Sequence, residues 1–283
     1  MKDSLINVGG GRHLAYTDIG DPDGPCVFFF HGAPLSRLYL VGLEDAFAAQ
    51  GLRVVSPDRP GYGRSSPRPG RSMADWPADV IAMADALGID RFLVAAHSSG
   101  GPYAVACAAL VGERVLGGVV LAGVTDMAWP GAWDGYLEVE IQLMRVPDEH
   151  TAMAWCAEHI GEDGSGFLAT AGDLPQPDAA LLADKAFEQA FMAAFAEAFR
   201  QGVTGYAQDI YLQGRPWPFD PGRISVPIEV VHGESDTFVP MAHSRHTAEL
   251  IPRSTFRMLP GHGHLTVVSE LPKIASALMR SLG

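Results

Sequence analysis

The sequence has no apolar run approaching the roughly 20 residues that span a bilayer, so no helical membrane segment is expected. It has no basic tract either. Its 20 lysines and arginines stand against 33 aspartates and glutamates, a formal net charge of −13. That charge would repel nucleic-acid phosphates and excludes a nucleic-acid partner. Cysteine is scarce: Cys26, Cys107 and Cys156 are odd in number, far apart and set among apolar neighbours. This is the usage of reduced, buried thiols and not of a disulfide framework or a metal set. The opening Met1-Lys2-Asp3-Ser4 lacks the apolar stretch and cleavage site of a secretory signal. A cytoplasmic protein that meets a small molecule, without membrane, metal or cofactor, is the expectation. Internal repeats and low-complexity tracts are also missing, and nothing in the sequence speaks to oligomeric state.

What is present is core material: 47% of the 283 residues are apolar and 19% charged, the balance of an ordinary globular chain. Strand-like segments at 12–19, 26–30, 52–56, 92–96 and 115–124 alternate with helix-like ones at 36–50, 73–87 and 98–111. Cys26–Phe30 is wholly apolar, as a strand covered on both faces must be. This βαβ rhythm predicts an α/β fold with a mostly parallel central sheet and helices on both faces.

The rhythm stops at Thr125. Up to Arg223 no strand is expected, only helical patterns near 133–146, 149–160, 179–200 and 202–213. Phe187, Phe191, Phe195 and Phe199 recur every fourth residue and make one apolar stripe. Such a stripe packs on the main domain, and one or two of its rings can at the same time line a pocket. After Pro227 the rhythm resumes with strands at 228–231 and 255–259 and helices at 241–250 and 271–282. The organisation predicted is a core of residues 1–124 and 224–283, with 125–223 inserted as a helical cap.

Chemistry concentrates at strand ends. Val94-Ala95-Ala96-His97-Ser98-Ser99-Gly100-Gly101 runs a buried strand into a helix, with a serine at the joint and small residues two places either side. Such a turn strains the serine backbone, tolerates no large neighbour and raises the hydroxyl above the sheet. The usual first position is glycine; here it is Ala96. Centring the turn on Ser99 instead would put His97 where a small residue is needed, so Ser98 is the candidate nucleophile. Phe30-His31-Gly32-Ala33-Pro34 follows the strand at 26–30. A tight loop there offers backbone N–H groups to a developing oxyanion, with Ala33 and Ser99 as donors. Pro34 has no N–H to offer. His31 precedes the nucleophile and is read as a brace for this loop.

His31-Gly-x-Pro, then Asp58-Arg59-Pro60-Gly61-Tyr62-Gly63-Arg64-Ser65, then Ala96-His-Ser-Ser-Gly-Gly, resembles the capped α/β-hydrolase superfamily in its serine branch. Val231-His232-Gly233-Glu234-Ser235-Asp236 resembles the turn that carries the family's acid, and Pro260-Gly261-His262-Gly263-His264 the segment that carries its histidine. The resemblance covers all but the cap and keeps the family order of serine, acid and histidine. It implies Asp236 as the acid, with Asp126 after the strand at 115–124 as its rival. It implies His264 over His262, because the family's histidine follows a glycine and precedes the last helix. Asp58 to Ser65 would be architectural, and His97 would support the site from behind.

A neutral imidazole must take the serine proton, and a carboxylate must fix its tautomer. The resemblance therefore implies hydrolysis of an ester or related acyl bond through an acyl-serine. A proline-releasing aminopeptidase is the alternative, though the glycine and tryptophan typical of that group are replaced here by Ala33 and Ser99. C–C bond hydrolysis, a perhydrolase side activity and a slow-turnover ligand receptor share the same motifs. Glu188 and Glu197 are the obvious grips for a substrate ammonium, but both turn off the phenylalanine stripe. A small, largely neutral and hydrophobic substrate is the expectation.

Overall fold

Each predicted core strand forms, and the alternation of its side chains divides the core in two. A computed structural model describes residues 1–170 and 173–283. In chain order the first half runs β1 (Lys2–Gly9), β2 (Arg12–Gly20), β3 (Cys26–Phe30), α1 (Glu44–Ala49), β4 (Arg53–Pro57), α2 (Trp76–Ala86), β5 (Phe92–His97), α3 (Gly101–Leu110) and β6 (Val115–Leu121). The second half runs α4 (Glu138–Met144), α5 (Glu149–Ile160), α6 (Ser165–Thr170), α7 (Gln176–Ala183), α8 (Lys185–Ala198), β7 (Arg200–Val203), α9 (Thr204–Gln213), β8 (Ile228–Gly233), α10 (Met241–Leu250), β9 (Ser254–Leu259) and α11 (Leu271–Ser281). Eight strands form one sheet in the order β1-β2-β4-β3-β5-β6-β8-β9. The β1–β2 and β2–β4 pairs are antiparallel and all the others parallel.

Val27 and Phe29 pack into the layer that holds α11 and the inserted helices. Cys26, Phe28 and Phe30 pack into the opposite layer with α2 and α3. All five are buried, which is why β3 reads as an unbroken apolar run. A fully buried phenylalanine of this kind contributes about 1.5–3 kcal/mol. Phe29→Ala would cost more, about 3–5 kcal/mol, because a cavity is left.

The differences from expectation have local causes. The segment at 36–50 is not one helix: Gly42, at φ 101°, separates a short helical turn at Arg37–Leu40 from α1. The pattern at 179–200 is likewise two helices, because Asp184 caps α8 by accepting from Ala186 N and Phe187 N at 3.0 Å. The strand β1 pairs at the sheet edge, where alternation is weak. Among the described residues between Thr125 and Arg223 one short strand, β7, does occur outside the main sheet; the periodicity missed it and also missed α6.

The helices α4 to α9 fall between β6 and β8, and α9 is anchored to the core by buried ions. Arg59 Nε donates to Asp209 at 2.6 Å, Arg71 pairs with the same carboxylate, and Tyr103 Oη donates to it at 2.7 Å. Burial pushes the Asp209 carboxyl up, but the Arg59 and Arg71 charges overcome it and hold it at about 2. A second tie is Arg37, whose guanidinium reaches Asp58 at 2.7 Å and Glu197 of α8 at 2.6 Å. Among the described residues, no helix is long and apolar enough to cross a membrane.

Candidate active site

Parallel strands end on one edge of the sheet, and open α/β folds place ligands there. The ends of β3, β5 and β8 deliver the His31–Pro34 loop, Ser98 and Asp236 respectively, and the segment after β9 delivers His264.

Ser98 sits at φ 54°, a left-handed conformation that costs a residue with a side chain and is kept only where the surroundings enforce it. Those surroundings are close. A Cβ on Gly100 would lie 2.2 Å from Phe30 O, and one on Gly32 would lie 3.0 Å from Ser98 Cβ. The small residues of the turn are thus a packing requirement, and Ala96, fully buried, meets it with a methyl group. The Ser98 side chain opens on a cavity of about 200 Å³ that His264 also lines.

His264 is oriented from three sides. Its Nδ1–H donates to Asp236 Oδ2 at 2.7 Å, which leaves Nε2 as the free basic nitrogen. The other Asp236 oxygen accepts from Phe238 N and Val239 N at 2.8 and 3.0 Å. Burial pushes the Asp236 carboxyl up, but the imidazole charge and hydrogen bond outweigh it and hold it below the usual range. Burial pushes His264 down; Asp236 more than offsets this, so the imidazole lies above its ordinary value of 6.5. His97 Nε2–H donates to the His264 carbonyl at 2.9 Å, and its ring lies 4.4 Å from the His264 ring. The third support comes from the inserted helices. Asp178 on α7 accepts from Leu265 N at 3.1 Å and from Thr266 N and Oγ1 at 2.9 and 3.0 Å. The approach is so close that a Cβ on Gly263 would lie 2.3 Å from Asp178 Oδ2.

The His31–Pro34 loop is braced as expected. His31 Nδ1–H donates to Gly32 O at 2.9 Å, its Nε2 accepts from Arg59 N, and Arg59 also donates to His31 O. Burial and the Arg59 charge push His31 well down, so its ring is neutral. Ala33 lines the cavity, and Ser99 follows directly on Ser98 in the short helical turn that leads into α3.

The other acids weighed, and His262, do not line this cavity. Asp126 accepts from Ala128 N and Trp217 N, and His262 hydrogen-bonds Pro260 O at 3.0 Å. Glu188 pairs with the exposed Lys185, and Glu197 with Arg37 and Arg200. Of the phenylalanine stripe, Phe191 and Phe195 line the cavity, with Leu35, Phe167, Leu182 and Phe238 completing an apolar surround. Phe187 lines a neighbouring hollow with Tyr39 and Val268, and Phe199 packs on Tyr206.

Sequence reasoning missed Asp178, Tyr136 and Glu140. Glu140 is buried, and Tyr136 and Tyr206 donate to its two oxygens at 2.6 and 3.2 Å. A signal existed. Leu137, Ile141 and Met144 form a helical stripe, and Glu140 stands within it three residues after Leu137.

A profile of the alpha/beta hydrolase fold matches residues 25–271. A non-heme chloroperoxidase of Streptomyces lividans is 29% identical, the match covering 94% of this chain and 95% of that one. A bifunctional esterase/perhydrolase of Acinetobacter calcoaceticus is 27% identical, with 95% of each chain covered. Among solved structures, an alpha/beta hydrolase fold protein from Nakamurella multipartita superposes with a TM-score of 0.70 at 25% identity, over the whole of both chains.

Proposed function

The chain belongs to the α/β-hydrolase fold family, and from that premise we propose that it hydrolyses small, largely hydrophobic acyl esters through an acyl-enzyme formed on Ser98. His264 Nε2 takes the Ser98 proton as Oγ attacks the acyl carbon. Asp236 holds the tautomer and stabilises the imidazolium that results. The oxyanion accepts from the Ala33 and Ser99 N–H groups. Collapse expels the alcohol, which takes the proton from His264, and water then repeats the sequence to release the acid. Residues 125–223 act as the cap that roofs the reaction.

The observation that carries this reading is His264, held by Asp236, lining the same cavity as a serine in a strained backbone conformation. Its test is a panel of nitrophenyl esters of graded chain length, with amino-acid anilides alongside and Ser98→Ala as control. Ester cleavage that vanishes in the variant, with fluorophosphonate labelling at Ser98, supports the reading. Labelling at Ser99 in place of Ser98 overturns it. Because the nucleophile is a side chain, dialysis against a chelator should leave the rate unchanged.

The names of the two curated relatives favour one second reading. Hydrogen peroxide in place of water would attack the acyl-Ser98 carbonyl, releasing a peracid and restoring the serine hydroxyl. Peracid formation from a short carboxylic acid and peroxide, abolished in Ser98→Ala, would establish it.

A further inference from the structure

Glu140 is the one acidic side chain lining the cavity among the described residues. Its setting is unusual for a carboxylate. It is almost wholly out of water, and apart from Ser98, His97, His264 and Tyr136 the rest of the cavity lining is apolar. Buried charges are ordinarily paired. Here, among the described residues, no lysine or arginine forms an ion pair with it. Two tyrosine hydroxyls are its partners instead, one on each oxygen. Each carboxylate oxygen can accept more than one hydrogen bond, so the two tyrosines leave acceptor capacity unfilled.

The position is as telling as the chemistry. Tyr136, whose hydroxyl donates to Glu140, lines the same cavity as the nucleophile Ser98. A ligand acylating Ser98 would therefore occupy the cavity of about 200 Å³ that Glu140 also lines. Pockets of this kind fix a ligand by a few polar groups set in apolar walls. Glu188 and Glu197, the other acids weighed for such a role, are spent on Lys185 and on Arg37 and Arg200 outside it.

We propose that Glu140 is the specificity residue of this cavity and selects acyl substrates that carry a protonated amine on an otherwise apolar body. The ammonium supplies the missing counter-charge and donates to the carboxylate, while the leucine and phenylalanine walls take up the hydrocarbon. This rests on the hydrolytic reading for the fate of the ester, and it revises the expectation of a neutral substrate. Burial, against the pull of the two tyrosine hydrogen bonds, pushes the Glu140 carboxyl up to about 7. The titratable groups facing it are Tyr136, Tyr206, Cys156 and His264. The two tyrosines and the cysteine are themselves pushed upward by burial and stay protonated.

The test uses matched esters that differ only in whether a protonated nitrogen or a carbon stands at one branch point. One pair is dimethylaminoethyl butanoate and isoamyl butanoate, with the amine on the alcohol side. The other is methyl dimethylaminobutanoate and its carbon isostere, with the amine on the acyl side. Binding is measured by titration calorimetry on Ser98→Ala, where turnover does not interfere, and kcat/KM on the wild type. In at least one pair the ammonium member should bind about ten- to a hundredfold more tightly than its isostere, the worth of a hydrogen bond to a charged group. Glu140→Gln on the Ser98→Ala background should abolish the preference. On the Ser98→Ala protein the preference should also grow with pH as Glu140 ionises, and that growth should vanish in Glu140→Gln, which separates it from the loss of charge on His264 over the same range. Equal binding in both pairs, or a preference that survives Glu140→Gln, would overturn the proposal. A binding preference without wild-type turnover would uphold it and bring down the hydrolytic reading alone.

Discussion

The floor and the roof of the cavity are built on opposite principles. The floor is polar, and its groups stand at the ends of strands, held by backbone geometry: Ser98 in its strained turn, His264 on Asp236, and the loop at Ala33 braced by His31 and Arg59. The roof is helical and mostly apolar where it meets the cavity, and among the described residues it turns a single acid, Glu140, toward it. Chemistry needs atoms placed to within a fraction of an ångström, and a sheet edge supplies that. Selection needs shape and one or two charges, which helices can vary without disturbing the floor. The two meet at Asp178, where a roof helix holds the backbone next to the floor's histidine.

The sharpest way to break this division is on the floor. Asp236→Asn should lower kcat by about 10⁴-fold, because the neutral amide no longer enforces the tautomer. Asp126→Asn, on a carboxylate that accepts from Ala128 N and Trp217 N away from the cavity, should change the rate little; the reverse ranking would move the acid. The same pair governs pH. His264 must be neutral to act as base, and its pKa is raised, so kcat/KM should fall as pH drops through a point above 6.5. In Asp236→Asn the acid limb should shift to lower pH, where rates remain measurable.

The join between the two regions comes next. Asp209→Ala strands Arg59 and Arg71 without their buried counter-ion, and breaking such a pair costs about 3–5 kcal/mol. Chemical denaturation should show that loss, a hundredfold or more in the folding equilibrium. An unchanged midpoint would mean that α9 is not a fastener.

Asp178 tests whether the roof positions the floor. Asp178→Ala should lower kcat by about 10²-fold, the scale of a misplacement of roughly an ångström, with KM changed far less. Asp178→Asn keeps an acceptor for Leu265, Thr266 and the Thr266 hydroxyl and should recover most of the rate. A KM effect without a kcat effect would place Asp178 among the binding groups instead.

The roof proper should respond most mildly. Phe195→Ala removes an apolar wall and should raise KM by about tenfold for hydrophobic esters at nearly constant kcat, in line with the burial of one large side chain. Glu188→Gln, on the exposed side of the same helix, should leave both constants where they are, since surface ion pairs contribute little.

Local rules carried the sequence reading a long way. The five-residue apolar run at Cys26–Phe30 forms the strand expected of it, as do the segments that open at Phe92 and Ile228. The joint at Ser98 was legible because a strained turn restricts its neighbours within two residues, and those restrictions are written side by side in the chain. Gly42 and Asp184 were visible as letters, but their power to end a helix depends on backbone and capping geometry that periodicity does not weigh.

Determined by the sequence itself were the α/β rhythm, the interruption between Thr125 and Arg223, and the strand ends on which Ser98, Asp236 and His264 stand. Each is a property of a short stretch of chain under steric and hydrophobic constraint. The tertiary structure alone decided which acids face the cavity. Glu140, Glu188 and Glu197 are alike as residues on helices, and what separates them is their partners: Tyr206 lies 66 residues from Glu140, and Arg37 lies 160 residues from Glu197. A helix shows its sequence pattern to every side at once, and only the packing of distant elements against it settles which side meets the substrate.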